Sequence, residues 1–178
     1  DVLMRTSSGK IFHDTFDDWD LLDWDIDASG GSVRLDGYVR VLDAPSVKLS
    51  RTSSLGNVQI SHAFPAQTSD FYIQASFRTN GGALSTIDAL SGDSVRARFG
   101  TVNGNFAYWS GSERVDVTPC SPNTWYDVGF FVRISDNTYD IYVDGHLLRG
   151  DAPLLGNGGI DALRFGAGDA VPTASPRQ

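Results

Sequence analysis

Between residues 71 and 79 apolar and polar side chains alternate without interruption. In an extended chain this puts Phe71, Ile73, Ala75 and Phe77 on one face, and Tyr72, Gln74, Ser76 and Arg78 on the other. The same period of two recurs along the chain, and helical periodicity is nearly absent. It predicts a first strand over 10–16, then a hairpin formed by 32–35 and 38–42 around Asp36-Gly37, a preferred two-residue turn. Strands over 47–50 and 57–64 lead up to 71–79. Beyond Asn80-Gly81-Gly82, segments 85–90 and 95–99 pair around Ser91-Gly92-Asp93. Asn103-Gly104 introduces 105–109, and Gly111 leads to 114–117. After Pro119, Pro122 and Asn123 comes the long apolar run 125–134. Asp136-Asn137 and Asp144-Gly145 then turn the chain into 139–143 and 146–149, and a Gly/Asn loop precedes a closing strand over 159–166.

A dozen or more short strands with frequent turn signals fit an antiparallel sandwich or barrel. Glycines and β-branched residues interrupt every helical window, and no repeat of solenoid or propeller length occurs. The expected fold is all-β, and the 178 residues suit one domain. Its expected span is 1–170. The segment 171–178 has the Pro/Ser/Thr flavour of a linker, which points to a piece of something longer.

The net charge of −8 argues against nucleic acid or an anionic membrane as the main partner. No stretch reaches the roughly 18 apolar residues of a membrane-spanning helix. The single cysteine, Cys120, cannot close an internal disulfide and has no zinc-like spacing around it. Few lysines and many Gly, Ser, Thr and Asn favour a secreted, extracellular protein.

Aromatic residues supply the candidate binding chemistry. A flat ring stacks on the apolar face of a pyranose while neighbouring polar groups hold its hydroxyls. The run Asn105-Phe106-Ala107-Tyr108-Trp109 is the best such candidate. Tyr108 and Trp109 must point to opposite faces, so one is core and the other exposed or in a loop. Arg96 and Arg98 share a face of the preceding strand and would flank that site. Two core aromatics with solvated arginines is the competing reading. Trp19 and Trp24, in an acidic loop, are candidates to cap the sandwich edge, and Trp125 reads as structural.

Acidic residues supply the second candidate. Seven aspartates fall between positions 14 and 27, without a Lys or Arg among them. Such a segment is either solvated or bridged by a hard cation such as calcium. Its spacing is not that of an EF-hand.

Three stretches carry a family likeness. Trp125-Tyr126-Asp127-Val128 followed by Tyr139-Asp140-Ile141-Tyr142-Val143-Asp144-Gly145 resembles the core hairpin of concanavalin A-like, laminin G-like jelly rolls. Phe12-His13-Asp14-Thr15-Phe16-Asp17-Asp18, followed by a Trp and then Gly30-Gly31-Ser32-Val33, resembles their N-terminal strand. Ile160-Asp161-Ala162-Leu163-Arg164-Phe165-Gly166 resembles their final strand, which returns beside the first. The resemblance implies a two-sheet jelly roll of the kind attached to secreted carbohydrate-active proteins. It also implies a structural calcium ion held by Asp14, the carbonyl of Gly37 and Asp161.

Hydrolases of this fold carry a Glu-x-Asp-x-x-Glu strand that this chain lacks, since Glu113 is its only glutamate. Lyases of jelly-roll type use a Tyr or His base with Arg and Gln. Gln59-Ile60-Ser61-His62 matches such a strand only faintly, because Gln59 and His62 point to opposite faces. No catalytic residue is therefore assigned. The expected role is a non-catalytic module that binds a polysaccharide or glycan, or packs against a catalytic domain of the same chain. The rival expectations are a jelly-roll polysaccharide lyase and a structural or protein-interaction module of laminin G-like type.

Overall fold

The computed structural model describes residues 1–41, 44–81 and 84–168, so the linker-like segment 171–178 and the expected domain end at 170 lie outside the described residues. These contain strands and no helix. The first strands are β1 (Val2–Thr6), β2 (Gly9–Asp14), β3 (Asp25–Asp27), β4 (Gly31–Val41) and β5 (Ala44–Arg51). Next come β6 (Val58–Gln67), β7 (Phe71–Arg78), β8 (Leu84–Ser91), β9 (Ser94–Val102) and β10 (Asn105–Ser110). The series closes with β11 (Glu113–Pro119), β12 (Trp125–Arg133), β13 (Thr138–Val143), β14 (His146–Pro153) and β15 (Ile160–Gly168).

The strands form a six-stranded sheet, in the order β14-β13-β12-β7-β1-β2, and a seven-stranded sheet, in the order β11-β10-β9-β8-β15-β6-β3. The β4–β5 hairpin stands apart from both as a two-stranded ribbon. The architecture is the two-sheet antiparallel sandwich that the alternation predicts.

The alternation also sets which side chains fill the space between the sheets. From the six-stranded sheet come Phe71, Ile73, Val128, Phe130, Tyr139 and Ile141, all buried. The seven-stranded sheet answers with Ile60, Ile87, Phe99, Phe106, Tyr108 and Leu163. Phe99 stacks on Phe106 within its own sheet, with ring centroids 5.4 Å apart. It also meets Phe130 of the other sheet edge to face at 5.8 Å. Each such ring contributes about 2–3 kcal/mol through removal of apolar surface from water. Tyr139 lies fully inside, and its hydroxyl donates to the Arg98 carbonyl at 3.1 Å, bonding one sheet to the other. Burial pushes this phenol well above its ordinary pKa.

The turns follow their residues. Asn103-Gly104 and Asp144-Gly145 have positive φ at both positions, as a tight two-residue hairpin requires.

Three expectations need correction. Asp36-Gly37 is not a hairpin turn: β4 runs through it, and its pairing with β5 slips between Asp36 and Val41. The Asp36 carboxylate accepts the backbone N–H groups of Tyr38 and Val39 at 2.9 and 3.2 Å, which stabilises that irregularity within the strand. The first strand is also not the edge-to-edge partner of the last, because β15 lies between β8 and β6 in the other sheet. Finally, strands β1 and β3 were not predicted, although β1 bridges β2 and β7. Val2 and Met4 are too short a run to display a period.

On the outer face of the seven-stranded sheet, the register sets Asp88 of β8 between Arg98 of β9 and Arg164 of β15. Arg98 grips the carboxylate with two hydrogen bonds of 2.7 and 2.8 Å. Arg164 adds bonds of 3.2 and 2.7 Å to Oδ2. Asp88 is 1% exposed beneath them. Replacing it with alanine removes the shared counter-charge of two partly buried guanidiniums. A loss of about 3 kcal/mol is expected in denaturant unfolding.

A second ion pair lies on the six-stranded sheet. Arg133 forks onto Asp140 at 2.7 and 2.8 Å, and the Asp151 N–H donates to the same carboxylate at 2.9 Å. The Arg133 bonds, helped by that N–H and opposed by burial, hold the Asp140 carboxyl below its ordinary pKa. Its stabilisation is complete above the unfolded carboxylate value of about 4 and disappears as pH falls through the depressed folded value. The Asp140→Asn variant is therefore expected to melt below the parent at about pH 6, with the gap narrowing as the solution is made more acid than the unfolded carboxylate value of about 4.

Candidate functional site

The aromatic strand keeps its predicted alternation but does not form the predicted site. Tyr108 points inward and joins the core at 4% exposure. Trp109 points outward, yet is only 6% exposed. It packs with Leu84, Val102 and Ala107, and the Arg98 guanidinium lies 5.7 Å from its ring centroid. A buried indole offers no open face to a sugar ring.

The two arginines also separate. A register shift between Ala89 and Leu90 places an irregularity at Arg96. Arg96 turns toward the sandwich end, donating to the Gly158 carbonyl at 2.9 Å and to Asn137 Oδ1 at 3.0 Å, while Arg98 is committed to Asp88. A one-residue bulge of this kind leaves no trace in a period-two pattern.

The three residues of the calcium set implied by the resemblance each have a partner of their own. Both carboxylate oxygens of Asp14 accept N–H groups, from Phe16 at 2.7 Å and from the Trp24 indole at 2.6 Å. Gly37 lies against the Trp19 ring. Asp161 accepts the Gly92 N–H at 2.8 Å, in the turn between β8 and β9. Each of the three thus serves a different neighbourhood. Among the described residues no group of three or more His, Cys, Asp or Glu is placed to hold a metal ion.

His62 is half-buried and stacked on Phe12 with centroids 3.7 Å apart, and its Nδ1 lies 2.7 Å from the Asp23 carbonyl. It serves as part of an aromatic edge with Trp24, rather than facing a groove beside Gln59. Cys120 is buried, and its burial raises the thiol pKa. Such a thiol is a poor nucleophile.

What the fold does build is a cleft of about 840 Å³ beneath the β4–β5 ribbon. Its apolar lining includes Phe16, Ile60, Phe77, Phe165, Val47 and Leu49. Its polar lining includes Ser46, Lys48, Ser50 and Arg51 of β5, Gln74, Ser76 and Arg78 of β7, and Asn123 and Asp127. Gln74 donates to Asp127 Oδ2 at 2.7 Å. Arg78 donates to the Asn123 carbonyl at 3.0 Å, and the Asn123 N–H donates to the Thr79 carbonyl at 2.7 Å. Trp125 lies half-buried beside them. The planar amide, carboxylate and guanidinium groups are therefore pre-positioned by one another at the edge of an aromatic hollow. The sequence displayed only half of this. Gln74, Ser76 and Arg78 read as an ordinary solvent face, because nothing in one strand announces a ribbon that shares a cleft with it.

The acidic loop places its two tryptophans in opposite environments. Trp24 caps the sandwich edge as expected, buried against Phe12, Phe16 and Phe165. Trp19 is 57% exposed and lies over Gly37 of β4. A Cβ at position 37 would come within 2.6 Å of Trp19 Cη2, so a side chain there would make the exposed indole shift.

No family model matches the chain. No curated protein matches it significantly. Solved structures do. A structure of "Cellulose induced protein, Cip1" superposes with a TM-score of 0.57 at 16% identity, covering 86% of this chain and 94% of that one. The fold is a concanavalin A-like jelly roll. A structure described as "Cell entry of botulinum neurotoxin type C is dependent upon interaction with two ganglioside molecules" aligns at 13% identity with a TM-score of 0.56. That alignment covers 98% of this chain and 44% of the toxin chain. A sialidase aligns at 14% identity with a TM-score of 0.49, over 88% of this chain. The chain spans only 14% of the sialidase's length.

The Asp14 carboxylate is thus read as a partner of Trp24. Asp14→Ala is expected to lower stability by about 2 kcal/mol, the scale of a lost charge-assisted hydrogen bond. The loss should be the same in calcium and in a chelator; a calcium-dependent difference in melting temperature would restore the metal reading.

Proposed function

We infer that the protein is a non-catalytic glycan-binding module, and that the cleft beneath the β4–β5 ribbon receives the sugar. The observation that carries this reading is the pairing of an apolar, aromatic-rich hollow with pre-positioned planar polar groups. A pyranose ring has an apolar face and a girdle of hydroxyls, so it needs both surfaces at once. The Gln74–Asp127 and Arg78–Asn123 pairs would hold hydroxyls without reorganising, which lowers the entropic cost of binding. Likeness of fold to a cellulose-induced protein accords with this reading.

The module belongs in a larger secreted, extracellular carbohydrate-active protein, where tethering compensates for weak single-site affinity. In the toxin structure a unit of this fold likewise makes up less than half of the chain. The lyase alternative finds less support, since His62 is stacked on Phe12 and both Arg98 and Arg164 are bound to Asp88.

The test is retention of the protein on a panel of insoluble plant, algal, fungal and animal polysaccharides. Retention on at least one is expected, weakened about tenfold or more by Trp125→Ala or Gln74→Ala, the cost of losing one stacking or hydrogen-bonding contact. Retention that neither substitution alters would remove the cleft from the reading. Absence of retention on every polysaccharide would overturn the function.

A further inference from the structure

The strand that furnishes the cleft with Gln74 and Arg78 also furnishes a second hollow. Tyr72 lies on the same face of β7 and borders a space of about 540 Å³, whose lining includes Arg5, Thr6, Ser7, Asp70 and Phe131. Register assembles this space. Tyr72 is paired with Arg5 of β1 on one side and with Phe131 of β12 on the other. Gly129 of β12 leaves room for the Tyr72 hydroxyl, which a side chain at that position would meet. The half-buried ring therefore leans across β12, and the Arg5 guanidinium stands 5.6 Å from its centroid.

Two guanidiniums approach rings on this face, and they differ in their partners. Arg133, 5.7 Å from the Phe131 centroid, is bound to Asp140 and Asp151. Arg5 is exposed, and among the described residues its guanidinium has no ion pair or hydrogen bond. The carboxylate in the hollow, Asp70, accepts the Ile134 N–H at 3.0 Å instead. A guanidinium resting on a ring with its donor fork open matches a planar carboxylate, and the ring offers its surface to the sugar that carries one.

The cleft end of β7 has the same character. Arg78 is held by neutral groups, the carbonyl and amide oxygens of Asn123, and Lys48 and Arg51 line the cleft with it. The carboxylates there are occupied. Asp1 meets His13, Asp36 accepts the Tyr38 and Val39 N–H groups, and Asp127 accepts Gln74. From Tyr72 to Arg78 the strand runs about 20 Å, a span of several linked sugar rings. Gln74, Ser76, Asp127 and Gly129 lie along that path, none of them aromatic.

Resting on the glycan-binding reading, we propose that Arg5 and Tyr72 form a second subsite, for a sugar bearing a carboxylate, and that the ligand is a linear polymer of uronic acids. The chain runs along β7 from the cleft to this hollow, with one carboxylate on the Arg5 fork and that sugar's ring against Tyr72.

Titration calorimetry tests this at low salt and about pH 7, where uronates are ionised. The probes are oligogalacturonides and oligomannuronides, the methyl esters of both, sulfated galactan oligomers and cello-oligosaccharides. At least one of the two uronate series should bind about tenfold or more tightly than its own methyl ester and than the sulfated and neutral oligomers. Arg5→Gln alters an exposed side chain, so it should leave the melting temperature unchanged while lowering uronate binding to the level of the ester. Trp125→Ala should weaken both. Equal binding of acids and esters overturns the uronate assignment and leaves the cleft reading intact, as does a preference for the sulfated oligomers. A preference for uronates that Arg5→Gln does not alter overturns the subsite at Arg5. Failure of every oligomer, with retention on some other polysaccharide, overturns this proposal alone. Failure of every oligomer and every polysaccharide overturns the glycan reading with it.

Discussion

Every surface considered above depends on the contact between Phe99 and Phe130 across the two sheets. Phe99 is stacked on Phe106 in its own sheet, and Phe130 meets Tyr139 edge to face in the other. The four rings form a continuous aromatic spine through the core. Tyr139 adds the one feature that apolar packing lacks, a directional bond from its hydroxyl to the Arg98 backbone. Area burial supplies the energy, and this bond pins how β13 of one sheet sits over β9 of the other. Arg98 is thereby fixed at its backbone by the core and at its side chain by Asp88. The outer face of the seven-stranded sheet inherits its order from the inside.

That order also explains why this outer face is a poor place for a ligand. Trp109 and Asp88 are both buried without belonging to the main core, because Arg98 covers them. Opening the face would expose an indole and separate a carboxylate from two guanidiniums, at a cost of several kcal/mol. Binding energy is better drawn from groups that are already open and already oriented.

The β4–β5 ribbon meets that condition because it belongs to neither sheet. A strand added to a sheet buries its polar backbone in the ladder and leaves no hollow. A ribbon that rests against β6 and β15 pairs its own backbone internally, so its side chains are free to line a cleft. Asp36 stabilises the irregularity that lets one strand do this, and its carboxyl is held below the ordinary range chiefly by the Tyr38 and Val39 N–H groups. Gly37 then serves the opposite side of the same strand as the seat for Trp19. One short stretch of β4 lines the cleft through Asp36 and Val39 and lies under the Trp19 indole at Gly37.

The sequence by itself determined the class of fold and most of its strands, because period-two alternation and Asn-Gly or Asp-Gly turns are local properties of the chain. It correctly sent Tyr108 and Trp109 to opposite faces, whereas of the two tryptophans read as edge caps only Trp24 is buried. Tertiary structure alone decided everything that depends on which strands become neighbours. The bulge at Arg96 parted it from Arg98, and Asp88, hidden in an apolar-looking strand, took Arg98 and Arg164 for itself. Asp14 went to the Trp24 indole. Asp36-Gly37 has the composition of a turn, yet lies inside β4, which continues on to pair with β5 and slips register there. Contacts between residues far apart in the chain carry no local periodicity, so only the folded molecule displays them.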